Sequence, residues 1–361
     1  MSEKITKRFD FIILFAVLIL SVSGLFCIYS AFYQGSGFSD EVKRQFCYLI
    51  FGIIIFILFS ISDYDNLGRL AIFISVVNVA VLLFVLLAGH SAKGAQRWIS
   101  LGSLGTFQPS EPAKLVLIIA LAKMLSSIKK TGLKEIFIII LTVLLPWFLI
   151  FMQPDLGTSL VLIFVAFVIF FMKGTNLWIL ASIAFAGLAS SPFILRDYQK
   201  ERLFVFMNPH ADPAGAAWNI TQSKIAVGSG GLYGKGFLQG TQTQLDFVPE
   251  HGTDFIFSVI GEEFGFIGCI IILILYIILI MRCFVIMKSA KDCFGSFMAV
   301  GILAMFIFHI FVNIGMALGI MPVVGVPLLF VSYGGSSLVS NFAAVGILES
   351  IYSRRERLFL S

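Results

Sequence analysis

No charged side chain interrupts the chain between Phe11 and Phe32, and a series of comparable apolar stretches follows it. About 20 apolar residues are what an α-helix needs to cross the hydrocarbon of a bilayer. Lipid offers no partner to a bare peptide group, so a spanning segment closes its own hydrogen bonds as a helix or joins a closed barrel. These stretches lack the alternation of barrel strands, which leaves helices. Only 12% of the 361 residues are charged and 59% are hydrophobic. The expected fold is an all-α integral membrane protein, a single polytopic domain over 1–361. Its ten transmembrane helices are placed near 10–32, 46–62, 70–88, 112–127, 134–152, 157–172, 177–195, 254–281, 295–320 and 337–352. The first stretch is too long for a cleavable signal and lacks a small-residue cleavage site, so it reads as a retained span.

Ten spans put both termini on one side of the membrane. Lys4, Lys7 and Arg8 open the chain, Arg354, Arg355 and Arg357 close it, and Lys129, Lys130, Lys173, Lys288 and Lys291 fall on the same side. The positive-inside rule assigns that side to the cytoplasm. The net charge of +5 thus reflects orientation and not nucleic-acid binding. Five cysteines without a CxxC pair or a Cys/His cluster indicate neither a disulfide framework nor a zinc site. The other face receives segments 89–111, 153–156 and 321–336 and one long extracytoplasmic loop, about 196–253, which is too long for an idle connector.

Arg97, Glu111, Lys114, Asp155, Asp254, Glu262 and Glu263 lie at or inside the ends of apolar stretches. An ionised side chain in hydrocarbon costs at least roughly 2.5–3.5 kcal/mol. All seven border the outer segments, so a polar cavity at the outer leaflet is expected.

Each position has two readings. Ser110 is placed to cap the helix that Pro112 enters. Glu111 and Lys114, three residues apart, share one face of it. They are either an interfacial pair with a snorkelling lysine or part of a site in which Lys114 meets an anion. Arg97 beside Trp98 is an interface anchor or a phosphate ligand. Asp155 is placed to cap the next helix, which is compatible with a site at the same helix mouth. Asp197–Arg202 followed by Leu203–Met207 reads as an interfacial amphipathic element. Gln222-Ser223-Lys224, running into Gly228–Gly231, is a flexible turn or a loop whose amides cradle phosphate. Asp254 sits at a helix N-terminus, where the dipole favours an anion. Glu262 lies about 80° around that helix and roughly 12 Å deeper, with Glu263 on the opposite face; buried structural glutamates are the alternative. The Pro/Gly pattern from Met321 to Ser337 suggests a re-entrant loop, tolerated at membrane depth only where it lines a protein-walled cavity.

Six motifs together resemble the SEDS family (shape, elongation, division and sporulation) over nearly the whole chain. They are Lys93–Trp98, Gln108–Glu111, Gln153–Thr158, Gln222–Ala226, Thr253–Phe257 and Val331–Ser336. Short termini and the Gln222-Ser223-Lys224 form favour the rod-shape branch over the division branch, with a sporulation branch left open. The resemblance implies a peptidoglycan glycosyltransferase of the bacterial cytoplasmic membrane. It would polymerise lipid II at the outer face, aided by a divalent cation (Mg or Mn) and no organic cofactor, beside a class B penicillin-binding protein. It places the essential aspartate on Asp254. Arg97, Glu111, Lys114 and Asp155 take the other polar site positions, Lys224 is a further substrate-binding candidate, and Asp254 with Glu111 are the metal candidates. Two features depart from the family pattern: Gly252 between His251 and Thr253, which shifts weight from the histidine to the carboxylates, and Leu329 where a second proline is common. A lipid-precursor flippase and a non-catalytic scaffold for a transpeptidase are the rival readings.

Overall fold

The computed structural model describes residues 9–33, 35, 37–92, 95–100, 102, 105–128, 132–208, 215 and 217–355. Lys93 and Gly94 of the first outer motif lie outside the described residues, as do Lys4, Lys7, Arg8, Lys129, Lys130 and Arg357. The elements are α1 (Phe11–Ala31), α2 (Asp40–Ile61), α3 (Tyr64–Ala88), β1 (His90–Ala92), β2 (Ala95–Ser100), β3 (Thr106–Phe107), α4 (Ser110–Ser127), α5 (Leu133–Met152), α6 (Leu156–Lys173) and α7 (Leu177–Ile194). They continue with α8 (Asp197–Met207), α9 (Trp218–Ser229), α10 (Thr241–Gln244), α11 (Ile256–Ser289), α12 (Cys293–Ala317) and α13 (Gly335–Ser353).

Among the described residues, ten long helices occupy the ten positions read from the sequence. Eight of them are long and apolar enough to cross a membrane. The other two, α4 and α13, carry more polar residues and are buried along most of their length. Protein, not lipid, surrounds those residues. Polar caps set several helix starts: Asp10, Ser39, Asp63, Asn176 and Asp292 each accept from amides of the helix that follows. α2 lies along α13, and α12 packs on α4, α6 and α11 at the centre of the bundle.

The segment between α12 and α13 has the re-entrant character expected. Residues 319–334 form no regular element, yet Val326, Leu328, Leu329, Phe330 and Val331 are buried. Tyr276 Oη, well inside α11, donates to Leu329 O at 2.7 Å. Val331 lies against Gly24 of α1, where an added Cβ would come within 2.6 Å of Val331 Cα and 2.8 Å of Phe330 O. Gly24 is roughly 10 Å along α1 from Ala31, so the segment reaches well past the C-terminal end of that helix into the bundle. Gly24→Ala is expected to cost about 1–3 kcal/mol through overpacking against main chain that cannot yield. Thermal unfolding in detergent, with Gly187→Ala on open space as control, reads it.

Three local features differ from the sequence reading. A three-stranded antiparallel sheet, order β1-β2-β3, interrupts the otherwise helical chain. Helix α11 is broken at Gly265, whose φ of +64° suits glycine. The main chain of the loop between α9 and α10 satisfies the groups the break exposes. Lys235 N and Gly236 N donate to Glu262 O and Glu263 O at 2.9 and 3.0 Å, and Phe266 N and Ile267 N donate to Gly231 O and Leu232 O at 2.9 and 3.2 Å. A broken helix is stable at membrane depth only with such partners. Finally, Gln222–Ser229 belongs to helix α9, and of the glycine-rich stretch Gly230 and Gly231 alone lie in a turn.

Candidate functional site

Asp155 gathers one side of the site. It is the N-cap of α6, as its position predicted, with Oδ1 accepting from Thr158 N at 3.1 Å. Its Oδ2 accepts from Gln108 Nε2 (2.8 Å), Ser110 Oγ (3.0 Å) and Thr158 Oγ1 (3.0 Å). Ser110 therefore spends its hydroxyl on Asp155 and does not cap α4, whose first turn has no side-chain cap. Strand β2 brings Arg97 Nη1 to 3.6 Å from Asp155 Oδ1. Arg97 Nε is buried without a hydrogen-bond partner among the described residues. Asp155 is 2% exposed, and this ring of donors is what permits a carboxylate there.

Glu111 and Lys114 form a pair one turn into α4. Lys114 Nζ lies 2.9 Å from Glu111 Oε2 and 3.0 Å from His309 Nε2 of α12, all three side chains being buried. An ammonium only donates, so Nε2 accepts and the histidine proton sits on Nδ1, which donates to Pro327 O at 3.0 Å. His309 thus ties Lys114 to the re-entrant segment as a neutral imidazole. One turn along α12, Asn313 Nδ2 donates to Val326 O (2.7 Å) and to Asp254 O (2.8 Å). Asn313 Oδ1 is buried with no partner among the described residues.

Asp254 closes the arrangement. It sits in the turn before α11, partly exposed, with its carboxylate beside Gly325 of the re-entrant segment: a Cβ built there would lie 3.4 Å from Asp254 Oδ2. Ser332 Oγ donates to Thr253 O at 2.6 Å and Tyr333 N to Gly252 O at 2.9 Å, which pins this turn. Gln108 N also donates to Ser336 Oγ at 2.9 Å. The re-entrant segment and its flanks therefore touch the Asp254 turn, the Lys114 pair and the Asp155 ring.

The remaining residues singled out from sequence stand elsewhere. Lys224 is exposed on α9, its stem packed over Gly319. Glu262 is fully buried and clasps the outer loop, accepting from Lys235 Nζ (2.7 Å), Gln242 N (2.8 Å) and Thr243 N (3.0 Å). Glu263 accepts from Ser30 Oγ of α1. His251 reaches Val248 O (2.8 Å) and Ala31 O (2.7 Å) and serves the turn's geometry. Among the described residues no three His, Cys, Asp or Glu side chains converge on a metal position.

The family model for the cell cycle proteins FtsW, RodA and SpoVE matches residues 10–357. The chain belongs to this family. As a SEDS protein it is 39% identical over 356 residues to the peptidoglycan glycosyltransferase MrdB of Escherichia coli K12, covering 96% of this chain and 94% of that one. It is 33% identical to the peptidoglycan glycosyltransferase RodA of Treponema pallidum, with 96% and 98% covered. The solved rod-shape-determining protein RodA of Thermus thermophilus superposes at TM-score 0.74 and 30% identity over 97% of this chain and 98% of that one. A chain from a peptidoglycan synthase complex, described as coordinating polymerization and crosslinking, superposes at TM-score 0.83 and 31% identity, with 97% and 99% covered.

Within this SEDS protein, sequence reasoning missed His309, and it noted Asn313 only as leading into the Pro/Gly segment, with no role of its own. Both are lone polar residues in the apolar α12. Their spacing of four, which puts them on one helix face, is the signal that marks them.

Proposed function

We propose that this SEDS protein is a peptidoglycan glycosyltransferase that polymerises lipid II into β-1,4-linked glycan at the outer face of the bacterial cytoplasmic membrane, in cell elongation and shape maintenance. Undecaprenyl pyrophosphate is released, and a class B penicillin-binding protein crosslinks the strands. The chain crosses the membrane ten times with both termini in the cytoplasm. The observation that carries this reading is the meeting of three charged groups around one re-entrant segment at one end of an apolar bundle: Asp254, the Glu111–Lys114 pair and the Arg97–Asp155 ring. Sugars on isoprenoid anchors need such a border between polar site and greasy wall.

In the reaction, a sugar 4-hydroxyl attacks the anomeric carbon of the growing chain and inverts it. The hydroxyl proton goes to Asp254, the partly exposed carboxylate at the mouth of the site. Arg97, with its free Nε, and Lys114 face the pyrophosphate, and Lys224 is a third cation on the same side. Asp155 holds Arg97; Glu111 and His309 hold Lys114.

The charge balance supports a divalent cation. Arg97, Lys114 and Lys224 only match Asp254, Asp155 and Glu111, so the pyrophosphate brings negative charge that no cation of the protein is left to offset. Glu111 already faces Lys114, so a bound ion would take Asp254 as its protein ligand, a role alternative to that of base. One carboxylate plus substrate phosphate oxygens suits Mg²⁺ or Mn²⁺, and the ion would neutralise charge on the leaving group.

Among the described residues the charged side chains of the spans sort to the two ends, Asp10, Arg282 and Glu349 at the end opposite the site. A path for a translocated headgroup needs polar groups through the full depth, so this favours polymerisation over flipping. The test is glycan polymer from lipid II and a divalent cation with the purified protein and its transpeptidase partner. A folded complex that makes none defeats the reading.

A further inference from the structure

Between α8 and α9, above the re-entrant segment, lies an open cleft of about 230 Å³ lined by Tyr198, Glu201, Arg202, Asn219, Ile220 and Val323. None of these residues has a part in the chemistry above. Two of the walls are tied to the main chain around the site. Arg202 Nη1 donates to Val323 O at 3.3 Å and its guanidinium sits 5.9 Å from the Tyr198 ring centre. Tyr198 Oη donates to Pro154 O at 3.5 Å, and Gln199 Nε2 donates to Tyr198 Oη at 3.1 Å. Pro154 directly precedes Asp155, and Val323 stands shortly before Gly325, the residue against the Asp254 carboxylate. The cleft therefore adjoins both halves of the charged cluster.

Its chemistry is unlike theirs. One carboxylate balances one guanidinium, and a carboxamide and a phenol add further donors and acceptors beside an aromatic face. A pyrophosphate wants an excess of cations, which the cleft lacks. An isoprenoid wants an apolar wall, and Ile220 and Val323 are too little. A pyranose ring wants what is here: paired donors and acceptors for vicinal hydroxyls and an acetamido group, and a flat face for its C–H edge. The volume falls below the roughly 300–1,000 Å³ of drug-sized ligand sites and suits a single ring.

We infer that this cleft is a saccharide subsite, holding an N-acetylhexosamine ring of the substrate next to the ring that reacts. The inference rests on the polymerase reading above. Glu201 and Asn219 provide specificity through the ring's polar substituents, Tyr198 provides the stacking face, and Arg202 holds the floor.

Initial polymerisation rates of the full complex, measured against the concentration of lipid-linked disaccharide pentapeptide and again with the same lipid-linked disaccharide lacking its peptide, test this. Glu201→Gln and Asn219→Ala are expected to raise KM about tenfold for both substrates, the scale of about 1.4 kcal/mol of lost binding, with a smaller change in kcat and unchanged thermal unfolding. Unchanged KM in two folded, active variants overturns the subsite and leaves the polymerase reading intact. A KM defect seen only with the peptide-bearing substrate also overturns it, because the cleft then takes peptide. A wild-type complex that polymerises neither substrate overturns the polymerase reading and the subsite with it.

Discussion

Asp254→Asn is expected to give a folded protein whose polymer synthesis falls by about 10²–10⁴-fold, the range that removal of a general base produces. The substitution keeps shape and volume and removes only the negative charge. The fold should tolerate it, because the side chain is partly exposed and the main-chain carbonyl that accepts from Asn313 at 2.8 Å is unchanged by the substitution. The same variant separates the two roles open to the carboxylate. If Asp254 holds the divalent cation, raising Mg²⁺ or Mn²⁺ restores part of the activity, because weaker affinity is offset by mass action. If it takes the proton, no cation concentration helps. Glycan length and yield from purified complex and lipid II, across a cation titration, read both. Polymer at wild-type rate from the folded variant removes Asp254 from the chemistry altogether.

The helices were legible in the sequence because the bilayer leaves a long apolar stretch few alternatives. Much of the site's geometry was legible for a related reason. A charge beside hydrocarbon needs a partner, and Glu111 and Lys114 at a spacing of three supply one another, as the 2.9 Å contact shows. Asp155 just before an apolar stretch of spanning length signalled a cap in the same local way. What escaped depends on residues distant in the chain. Glu262-Glu263-Phe264-Gly265-Phe266 reads as helix with a tolerated glycine. The break forms because main chain from Gly231 to Gly236 docks there and takes the freed hydrogen bonds. The sheet before α4 is too short and mixed to alternate clearly. His309 and Asn313 acquire meaning only when the irregular segment that follows α12 folds back and presents the carbonyls of Val326 and Pro327.

Lys114→Met is expected to destabilise the protein by about 3–5 kcal/mol, because removing one partner of a buried ion pair strands the other. Here the stranded group is Glu111, 4% exposed, and His309 loses the donor to Nε2 in the same step. Glu111→Gln alone is expected to do comparable harm by leaving the ammonium with a weaker acceptor. Combining the two removes both charges, so the double variant should recover much of the lost stability. If the pair only holds the bundle together, activity returns with stability. If Lys114 meets the pyrophosphate, the double variant stays inactive while its unfolding temperature approaches wild type. The decisive comparison is thus between two measurements on one protein, thermal unfolding in detergent and polymer formation from lipid II. Recovery of both makes the pair structural. Recovery of the first alone assigns the Glu111–Lys114 pair to the chemistry, because a lost scaffold cannot explain silence in a protein that melts normally.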